Sequence, residues 1–426
     1  MRKGERDISI DLSLFQFVIN TLEDIEFVNK YKTDKKHFTR DRVWTFKITF
    51  LFICSFMNKR LQQEVDGFFG RLFQISEEVR QVTASAFSQC RDKISFKAFE
   101  KVFEDLTICF YDNYQYKKYY GFRLLAIDGS VYTVPKTDEL IKEFGSNVLS
   151  KSGKWIKAQV SFTTDVLNNI CVAATIDKYK QSEQAQAETM LKKLGDKNLL
   201  IFDRGYFTMT FFRNIYMSGN QFCFRLSSIA CKPLKDFIKS EQQDIISAIT
   251  IDGQDYKVRF TKIQLDSGEL EYLCTSLFDM RKFTISKLKQ LYHLRWGVEE
   301  QFKDMKHALC VENFVGKKVN SIKQEFFGNI ITYNLAMMSC KNQIEKIANK
   351  RKKKYKYKVN KRALLGKFKQ CFTRFFHTII EAKEVIINII KVVAEESVPI
   401  REGRRFIRGE TVKAKKKHYN NYVPVN

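Results

Sequence analysis

The stretch Thr284–Leu309, TISKLKQLYHLRWGVEEQFKDMKHAL, decides how the rest of this sequence is interpreted. Its apolar residues recur at the 3.6-residue period of an α-helix and therefore fall on one side of it. That apolar side consists of Leu291, Leu294, Val298, Phe302, Met305 and Leu309. A second stripe, which borders the apolar side, consists of Tyr292, Arg295, Glu299 and Lys306. The pattern predicts one amphipathic helix with a polar stripe at the edge of a buried core.

The acidic residues of this helix differ in their expected surroundings. Glu300 and Asp304 are expected to project into water, whereas Glu299 lies at the border, with Arg295 one turn before it and Lys303 one turn after. A carboxylate at the edge of a core is costly unless it pairs with a cation or a metal ion. An ordinary amphipathic helix with ion pairs between residues four apart explains the same pattern. The helix alone leaves both interpretations open.

Composition restricts the class of protein. The 426 residues include 74 Lys and Arg against 48 Asp and Glu, which gives a formal net charge of +26. Such a field favours a polyanionic partner, with nucleic acid first and an anionic membrane surface or the ribosome as rivals. The ten cysteines contain no CxxC pair, so reduced thiols are expected and a zinc finger is not. No signal peptide or bilayer-spanning segment is recognisable, which predicts a cytoplasmic protein without a membrane partner.

The N-terminal part, residues 1–115, is predicted to be mostly helical. Within Val82–Phe103, Thr83 or Ser85 can cap one helix and Ser95 can cap the next. The polar residues that we expect to be exposed on this pair are Gln89, Arg91, Lys93 and Lys97. Such a pair would suit DNA binding. A plain helical bundle explains the segment equally well.

Two apolar, strand-like runs each end in an aspartate. Phe122–Ile127 precedes Asp128, and Asn198–Phe202 precedes Asp203. Continuous apolar runs are typical of strands that are covered on both faces, as in an α/β sheet. If the two strands are parallel neighbours, the aspartates project side by side and repel one another unless divalent cations lie between them. One such strand end would indicate only a loop. Two of them followed by Glu299 predict that the three acids belong to one site.

The remaining elements alternate around these two strands. A β-hairpin is predicted over 154–179 with its turn at Asp165–Asn169, where Asp165 is interpreted as a turn former and not as a catalytic residue. A second hairpin, with its turn at 266–268, is predicted within a small β-rich insertion. The other predicted elements are helices at Ser182–Leu194, Phe207–Met217, Phe326–Met338 and Glu381–Glu395, and a strand at Gln221–Leu226.

The C-terminal part is strongly basic. Lys346–Lys369 is a dense cationic run interleaved with tyrosine. A solvated face or a linker would explain it, and so would a surface that contacts the phosphate backbone, which the total charge favours. The tail that follows Val398 is poor in core-forming residues and is expected to be extended until it binds a partner.

The spacing Tyr292-x2-Arg295-x3-Glu299-x6-Lys306 matches the Y-R-E-K signature of bacterial insertion-sequence transposases of the IS-four type. The sequences AIDGS at 126–130 and FDRGY at 202–206 resemble the regions that carry the first two acids of that family's D-D-E triad. The resemblance covers 123–335. It implies an α/β fold in which an RNase H-like catalytic core is interrupted by a β-rich insertion, with a helical N-terminal domain and a basic helical C-terminal region.

The resemblance also implies a division of the chain. The expected segments are a helical DNA-binding region at 1–115, the first part of the core at 116–226, the β-rich insertion at 227–282, the second part of the core with the Y-R-E-K helix at 283–345, and a basic region at 346–426.

Functional residues are implied position by position. The catalytic and metal-binding acids would be Asp128, Asp203 and Glu299, which would hold two Mg²⁺ ions that Mn²⁺ can replace. The residues that bind DNA phosphates would be Tyr292, Arg295 and Lys306, with Arg204 as a weaker addition. Carboxylates are hard oxygen ligands suited to Mg²⁺, and a pair of such ions can activate a water and stabilise the departing 3′ oxygen.

The implied function is that of a DNA transposase, which cuts at the ends of an insertion sequence and joins them to target DNA. Its partners would be double-stranded DNA, both the terminal inverted repeats and the target, and a second copy of the chain in the DNA complex. The implied location is the bacterial cytoplasm, with the protein bound to the nucleoid. The alternatives are a host-adopted nuclease or recombinase with the same metal site, and a non-catalytic nucleic-acid-binding protein that depends on its basic surface.

Overall fold

The computed structural model describes residues 12–401, apart from 41, 56, 58–59, 76–79, 146–154, 266–267, 352–354 and 377–378. The predicted extended tail after residue 401, the turn residues 266–267 and the lysines at 352–354 therefore lie outside the described residues. Within the described ranges, no helix is long and apolar enough to cross a membrane. The chain divides into two compact units, of which the first comprises Met1–Asn113, Val134–Leu140 and Asp304–Asn426, and the second comprises Tyr114–Thr133 and Ile141–Lys303.

The predicted helices and strands occur in the predicted order, and further elements lie between them. The helices are α1 (Ser13–Glu23), α2 (Ile25–Tyr31), α3 (Phe46–Cys54), α4 (Leu61–Phe73), α5 (Ala84–Arg91), α6 (Phe96–Asn113), α7 (Asp138–Phe144), α8 (Glu183–Leu191), α9 (Met209–Met217), α10 (Lys232–Lys239), α11 (Ile285–His293), α12 (Trp296–Lys303), α13 (Val319–Arg351), α14 (Lys361–Cys371) and α15 (Ile379–Glu395). The strands are β1 (Arg123–Pro135), β2 (Trp155–Asp165), β3 (Ile170–Lys178), β4 (Asn198–Phe202), β5 (Gln221–Leu226), β6 (Asp244–Ile251), β7 (Gln254–Gln264), β8 (Leu270–Thr275), β9 (Lys356–Lys358) and β10 (Val398–Ile400).

Side-chain caps start many of these helices. At each such N-cap a hydroxyl or amide oxygen accepts a hydrogen bond from a backbone N–H of the first turn, a group that has no partner within the helix. The capping residues of this kind include Thr45, Thr83, Ser182, Thr208, Thr284 and Asn360. The cap predicted at Thr83 is thus confirmed, and local chemistry accounts for where these helices begin.

The first unit is a helical assembly built around α13. This 33-residue helix packs against α3, α6 and α15. Aromatic side chains fill the interior, where the ring of Phe50 on α3 stacks on that of Phe99 on α6 at a centroid distance of 3.9 Å. The helices predicted at Phe326–Met338 and Glu381–Glu395 are confirmed as parts of α13 and α15.

One expectation about this unit, that Arg91 is exposed, is wrong. Arg91 was expected to be exposed on a DNA-binding helical pair, but it is only 4% exposed. Its Nη1 lies 2.8 Å from Oε1 of Glu325, its Nε donates to Gln324 and its Nη2 donates to the carbonyl of Ser321. Arg91 therefore stabilises the helical core, while Gln89 and Lys97 are exposed as expected.

The second unit is built on an eight-stranded mixed sheet in the order β3-β2-β1-β4-β5-β8-β7-β6. Strand β4 pairs in parallel with β1 on one side and with β5 on the other, whereas β2–β3, β5–β8, β7–β8 and β6–β7 are antiparallel pairs. Both predicted hairpins are confirmed as β2–β3 and β7–β8. The β-rich insertion extends the same sheet beyond β5, because β8 pairs directly with that strand.

The register of β1 and β4 sets the level of the two aspartates. Arg123 pairs with Asn198, and the pairing continues to Ala126 opposite Ile201. The same offset places Asp128 level with Asp203. The prediction that these strands are parallel neighbours is therefore confirmed, although β1 continues to Pro135 and does not end at its aspartate. Helix α7, which follows β1 and was not predicted, is signalled by Thr137, whose hydroxyl accepts a hydrogen bond from the N–H of Leu140.

Thr284–Leu309 does not form the single helix that its periodicity predicts. It consists of α11, α12 and a π-helical turn, Asp304–Ala308. Between α11 and α12 the chain tightens, because the N–H of Arg295 bonds to the carbonyl of Tyr292 and that of Gly297 to the carbonyl of Leu294, each at 3.0 Å. Gly297 also lies against Val166, whose side chain would be 3.0 Å from a Cβ at position 297. A close tertiary contact thus accompanies the break in the helix.

Another expectation about this stretch is wrong. Asp304 was expected to project into water, but its carboxylate is 16% exposed and lies 2.9 Å from Nζ of Lys361 on α14. Five of the six residues of the predicted apolar side, Leu291, Val298, Phe302, Met305 and Leu309, are buried, whereas Leu294 is half-buried.

Candidate active site

Arg295 connects two of the three acids that the sequence singles out. Its Nη2 lies 2.5 Å from Oε1 of Glu299, and its Nη1 lies 3.7 Å from Oδ2 of Asp128. The guanidinium is 6% exposed, and its charge also lowers the pKa of Asp203. Asp128, Asp203 and Glu299 therefore gather around one buried cation within the second unit, even though 171 residues of sequence, from position 128 to position 299, separate the first from the last.

Asp203 lies in the turn after β4 and is held in its charged form. Burial alone would raise its pKa, but the N–H of Arg204, the guanidinium of Arg295 and the hydroxyl of Tyr292 together outweigh burial and lower the pKa. The Tyr292 hydroxyl donates to Oδ1 of Asp203 at 3.0 Å. Arg225 of β5 adds a more distant charge, with its Nη1 at 3.8 Å from the same oxygen.

Asp128 has the opposite electrostatic character. Burial raises its pKa to about 6, and the carboxylates of Glu299 and Glu183 add to that rise, while Arg295 and the N–H of Gly129 oppose it. Two aspartates at one level of the sheet thus have pKa values shifted in opposite directions by their surroundings. Paired acids with such divergent environments are typical of functional sites.

The raised pKa of Asp128 gives a stability prediction. Folding favours the protonated form, so this residue's contribution to stability is complete below its ordinary pKa of 3.8 and is lost as the pH rises through about 6. In buffer with a metal chelator, we expect the free energy of unfolding of Asp128→Asn, relative to the unsubstituted protein, to grow by about 2 kcal/mol between about pH 4 and about pH 7. Urea denaturation measures this difference. The exposed Asp196→Asn serves as the control, and an equal difference at both pH values for Asp128→Asn would contradict the prediction.

The donor chemistry of the site fits a divalent metal ion. The acids supply hard carboxylate oxygens, and the rise that Glu183 and Glu299 produce in the pKa of Asp128 shows that their like charges repel. Within the described ranges, no three Asp, Glu, His or Cys side chains are grouped closely enough to hold one ion as they stand. The Arg295 guanidinium instead supplies the positive charge between Asp128 and Glu299.

The other residues implied by the Y-R-E-K resemblance have different surroundings. Tyr292 is 6% exposed and bonded to Asp203, while Arg204 is exposed on the 3₁₀ turn Arg204–Tyr206. Lys306 lies on the π-helical turn Asp304–Ala308 of the first unit. Their contacts with DNA phosphates stay predictions.

Sequence reasoning missed three residues beside the acids: Arg225, Glu183 and Tyr206. Arg225 lies in the apolar strand β5, where a single cation among alternating residues gives no functional signal. Glu183 opens α8 behind the N-cap Ser182, a position at which an acid usually stabilises the helix. Tyr206 belongs to the FDRGY sequence but carries no distinctive spacing of its own.

An aspartate on β1 and another directly after the neighbouring parallel strand β4, followed after an insertion by a glutamate on a helix, define an RNase H-like core of the D-D-E type. A family model described as a transposase DDE domain matches 119–335, and this chain belongs to that family. It is 23% identical over 272 residues to the transposase InsG for insertion sequence element IS4 of Escherichia coli strain K12. That match covers 60% of this chain and 60% of the relative's length, and it confirms the predicted IS-four type.

A solved structure supports the fold. The chain is similar to a piggyBac transposase in a synaptic complex with hairpin DNA determined by cryo-electron microscopy, with a TM-score of 0.50 and 12% identity over 99% of this chain and 92% of that one. The predicted RNase H-like α/β fold is thereby confirmed. Enzymes of the DDE family generally use divalent metal ions.

Proposed function

We propose that this chain is a DNA transposase that cuts at the ends of an insertion sequence and joins those ends to target DNA. The observation that carries the proposal is the gathering of Asp128, Asp203 and Glu299 around Arg295. A protein that bound DNA by charge alone would gain nothing from carboxylates in its basic surface, because they repel phosphate. The membership of the transposase DDE domain family supports the same conclusion.

The three acids would hold the divalent ions, taken to be two Mg²⁺, for which Mn²⁺ can substitute. When bound, such ions supply an activated water and stabilise charge on the departing 3′ oxygen. Asp203 is poised for this role because its neighbours keep it charged. Glu299 would exchange its present partner Arg295 for an ion, which would free the guanidinium.

The cations of the signature would then act on DNA. Freed from Glu299, Arg295 presents a planar fork of donors that matches a phosphate, and Tyr292 and Lys306 would bind the same backbone beside the scissile bond. Arg204 is exposed and lies next to Asp203, which suits a weaker contact of this kind. These contacts hold the reacting phosphate and offset the charge that develops on it.

The partners follow from this chemistry. They would be double-stranded DNA carrying terminal inverted repeats, the target DNA, and a second copy of this chain that bridges the two ends. The division into a DNA-binding region at 1–115, a core at 116–226 and 283–345, an insertion at 227–282 and a basic region at 346–426 belongs to the same proposal. Nucleoid association in a bacterial cytoplasm would follow from DNA binding.

One assay tests the proposal. The full chain is incubated with Mg²⁺ and labelled DNA that carries the inverted repeats flanking its gene, in parallel with Asp128→Ala and Glu299→Ala. We expect cleavage and joining by the unsubstituted chain and neither by the variants. Cleavage without joining would instead indicate a nuclease or recombinase, and binding without cleavage by every form would overturn the enzymatic proposal.

The basic charge gives a second test. The net charge of +26 predicts that many phosphates are contacted, and each contact releases counterions. We therefore expect DNA affinity, measured by fluorescence anisotropy, to fall at least about a hundredfold as NaCl rises from about 50 to about 200 mM. An uncharged osmolyte at matched osmolality is the control and should leave affinity unchanged. A fall of less than about threefold in NaCl would contradict this prediction.

A further inference from the structure

An exposed tyrosine just before strand β1 holds two lysines on its ring. Tyr120 is 43% exposed, and Nζ of Lys282 lies 5.1 Å from the centroid of its ring, while Nζ of Lys287 lies 5.5 Å from the same centroid. Lys282 belongs to the turn before α11, and Lys287 belongs to α11 itself. All three residues lie in the second unit, and we call them the Tyr120 cluster.

Packing fixes the Tyr120 ring in this place. Its centroid lies 5.0 Å from that of Tyr119 and 5.0 Å from that of Phe283, which is only 5% exposed, and both contacts are edge-on. Backbone hydrogen bonds in both directions between Tyr119 and Phe122, of 2.9 and 3.0 Å, close the turn in which Tyr120 has a φ of +49°. The ring is therefore held by its neighbours although it stays exposed.

Backbone contacts place the two lysines as well. The N–H groups of Arg281 and Lys282 donate to Oδ1 of Asp279 at 3.0 and 2.9 Å, which fixes the turn before α11. Nζ of Lys287 donates to the carbonyl of Lys282 at 3.0 Å. A free lysine loses rotamer entropy when it binds a ligand, and contacts that already restrict its side chain reduce that loss.

The positive charge of the cluster has no acid to offset it. Within the described ranges neither Lys282 nor Lys287 forms an ion pair, whereas Lys101, for example, is paired with Asp105. Two ammonium groups that share one ring repel one another, and the ring attracts both without cancelling their charge. The cluster therefore presents a fixed positive charge that an anionic partner would offset.

The cluster is distinct from the candidate active site. Strand β1 begins at Arg123, and at about 3.3 Å per residue it extends roughly 17 Å from there to Asp128. A group that binds DNA at the Tyr120 cluster thus contacts the duplex away from the reacting phosphate.

We infer that the Tyr120 cluster is a DNA contact, in which Lys282 and Lys287 bind phosphates of the duplex and the Tyr120 ring holds their ammonium groups in place. The inference rests on the proposed function, which supplies the DNA, but neither the D-D-E triad nor the Y-R-E-K signature includes any of these residues. Ammonium groups bind phosphate oxygens through charge-assisted hydrogen bonds and leave the base edges unread. The cluster therefore strengthens binding to DNA of any sequence.

Salt-dependent affinity tests the two lysines. The full chain is titrated into a fluorescent DNA duplex without Mg²⁺, and anisotropy is followed at several NaCl concentrations. We expect Lys282→Gln and Lys287→Gln each to weaken binding about fivefold to tenfold at about 0.1 M NaCl, and to reduce the slope of log affinity against log salt by about 1. Lys282→Arg, which keeps the charge, should bind within about twofold of the unsubstituted chain.

The matched control is Lys239→Gln, which removes the same charge from the exposed last residue of α10. It should bind within about twofold of the unsubstituted chain and keep its salt slope. If Lys282→Gln and Lys287→Gln lose no more affinity than Lys239→Gln, total charge explains the binding and the inference is overturned. Unchanged circular dichroism and Tm show that each variant is folded.

Substitutions of Tyr120 change no charge and test the ring itself. We expect Tyr120→Leu to weaken binding about threefold because it releases both ammonium groups, whereas Tyr120→Phe, which keeps the ring, should bind normally. In a chain that also carries Lys282→Gln and Lys287→Gln, Tyr120→Leu should have no further effect. An equal loss in both backgrounds, or none in either, would overturn the role given to the ring.

The same titrations separate the inference from the proposed function. If the unsubstituted chain binds DNA and the lysine variants bind equally well, the inference is overturned and the proposed function stands. If affinity depends on the two lysines as expected but the chain neither cleaves nor joins DNA, the contact is supported and the proposed function fails. A chain that binds no DNA overturns both.

Discussion

An Asp128→Asn variant is expected to lose at least about a thousandfold in the rate of DNA strand cleavage while it keeps its affinity for DNA. The substitution preserves the shape of the side chain but removes the charge that would bind a cation at the level shared by β1 and β4. Loss of preorganised charge at the reacting phosphate affects the transition state much more than the bound ground state. Single-turnover cleavage of end-labelled DNA at saturating protein measures the rate without interference from binding.

Matched variants test whether the loss of cleavage is specific to the acids of the candidate site. Glu299→Gln should show a comparable loss, whereas Glu300→Gln, at the exposed neighbouring position of α12, should cleave within about threefold of the unsubstituted rate. Anisotropy measurements on the same DNA confirm that each variant still binds. An Asp128→Asn protein that cleaves within tenfold of normal would show that the acids gathered around Arg295 are structural.

The second large effect concerns the stability of the helical unit. Arg91→Met is expected to lower the free energy of unfolding by about 3–5 kcal/mol, because it leaves Glu325 buried without its cation. Glu325 is 4% exposed, and its remaining bonds, from the N–H groups of Val315 and Gly316, satisfy its oxygens without neutralising its charge. Urea denaturation followed by circular dichroism measures the change.

An exposed ion pair in the same unit is the control. Lys101 lies 2.7 Å from Asp105 on α6, but its side chain is 44% exposed, so Lys101→Met should cost at most about 1 kcal/mol. Adding Glu325→Gln to Arg91→Met should recover part of the loss, since it removes the uncompensated charge. A cost below 1 kcal/mol for Arg91→Met would mean that this ion pair does not stabilise the helical core.

Because Arg91 is buried, fewer basic residues of the N-terminal part can contact DNA than the sequence predicts. One of four polar residues expected to face DNA is instead bound to a residue 234 positions away. Gln89 and Lys97 remain exposed and are still available to a partner. The DNA-binding role predicted for 1–115 therefore depends on fewer residues than the sequence pattern indicates.

Local chemistry made several features predictable. The cap at Thr83, the two hairpins, the apolar strands before Asp128 and Asp203, and the apolar side of Thr284–Leu309 all follow from interactions within a few residues. Hydrogen bonds of caps and turns and the burial periods of helices and strands have this short range. The spacing of Tyr292, Arg295 and Glu299 is likewise a local feature of the sequence, and the family resemblance was identified from it.

The sequence by itself determined the α/β class, the order of the acids and the family to which they belong. Only the tertiary structure decided that Arg295 joins Glu299 to Asp128, that Thr284–Leu309 breaks where Gly297 meets Val166, and that Arg91 is buried against Glu325. Each of these contacts joins residues far apart in the chain or depends on a neighbour that local periodicity does not specify. The free energy of a buried charge depends on the oppositely charged partner that the folded chain brings within a few ångströms. No local sequence pattern identifies that partner.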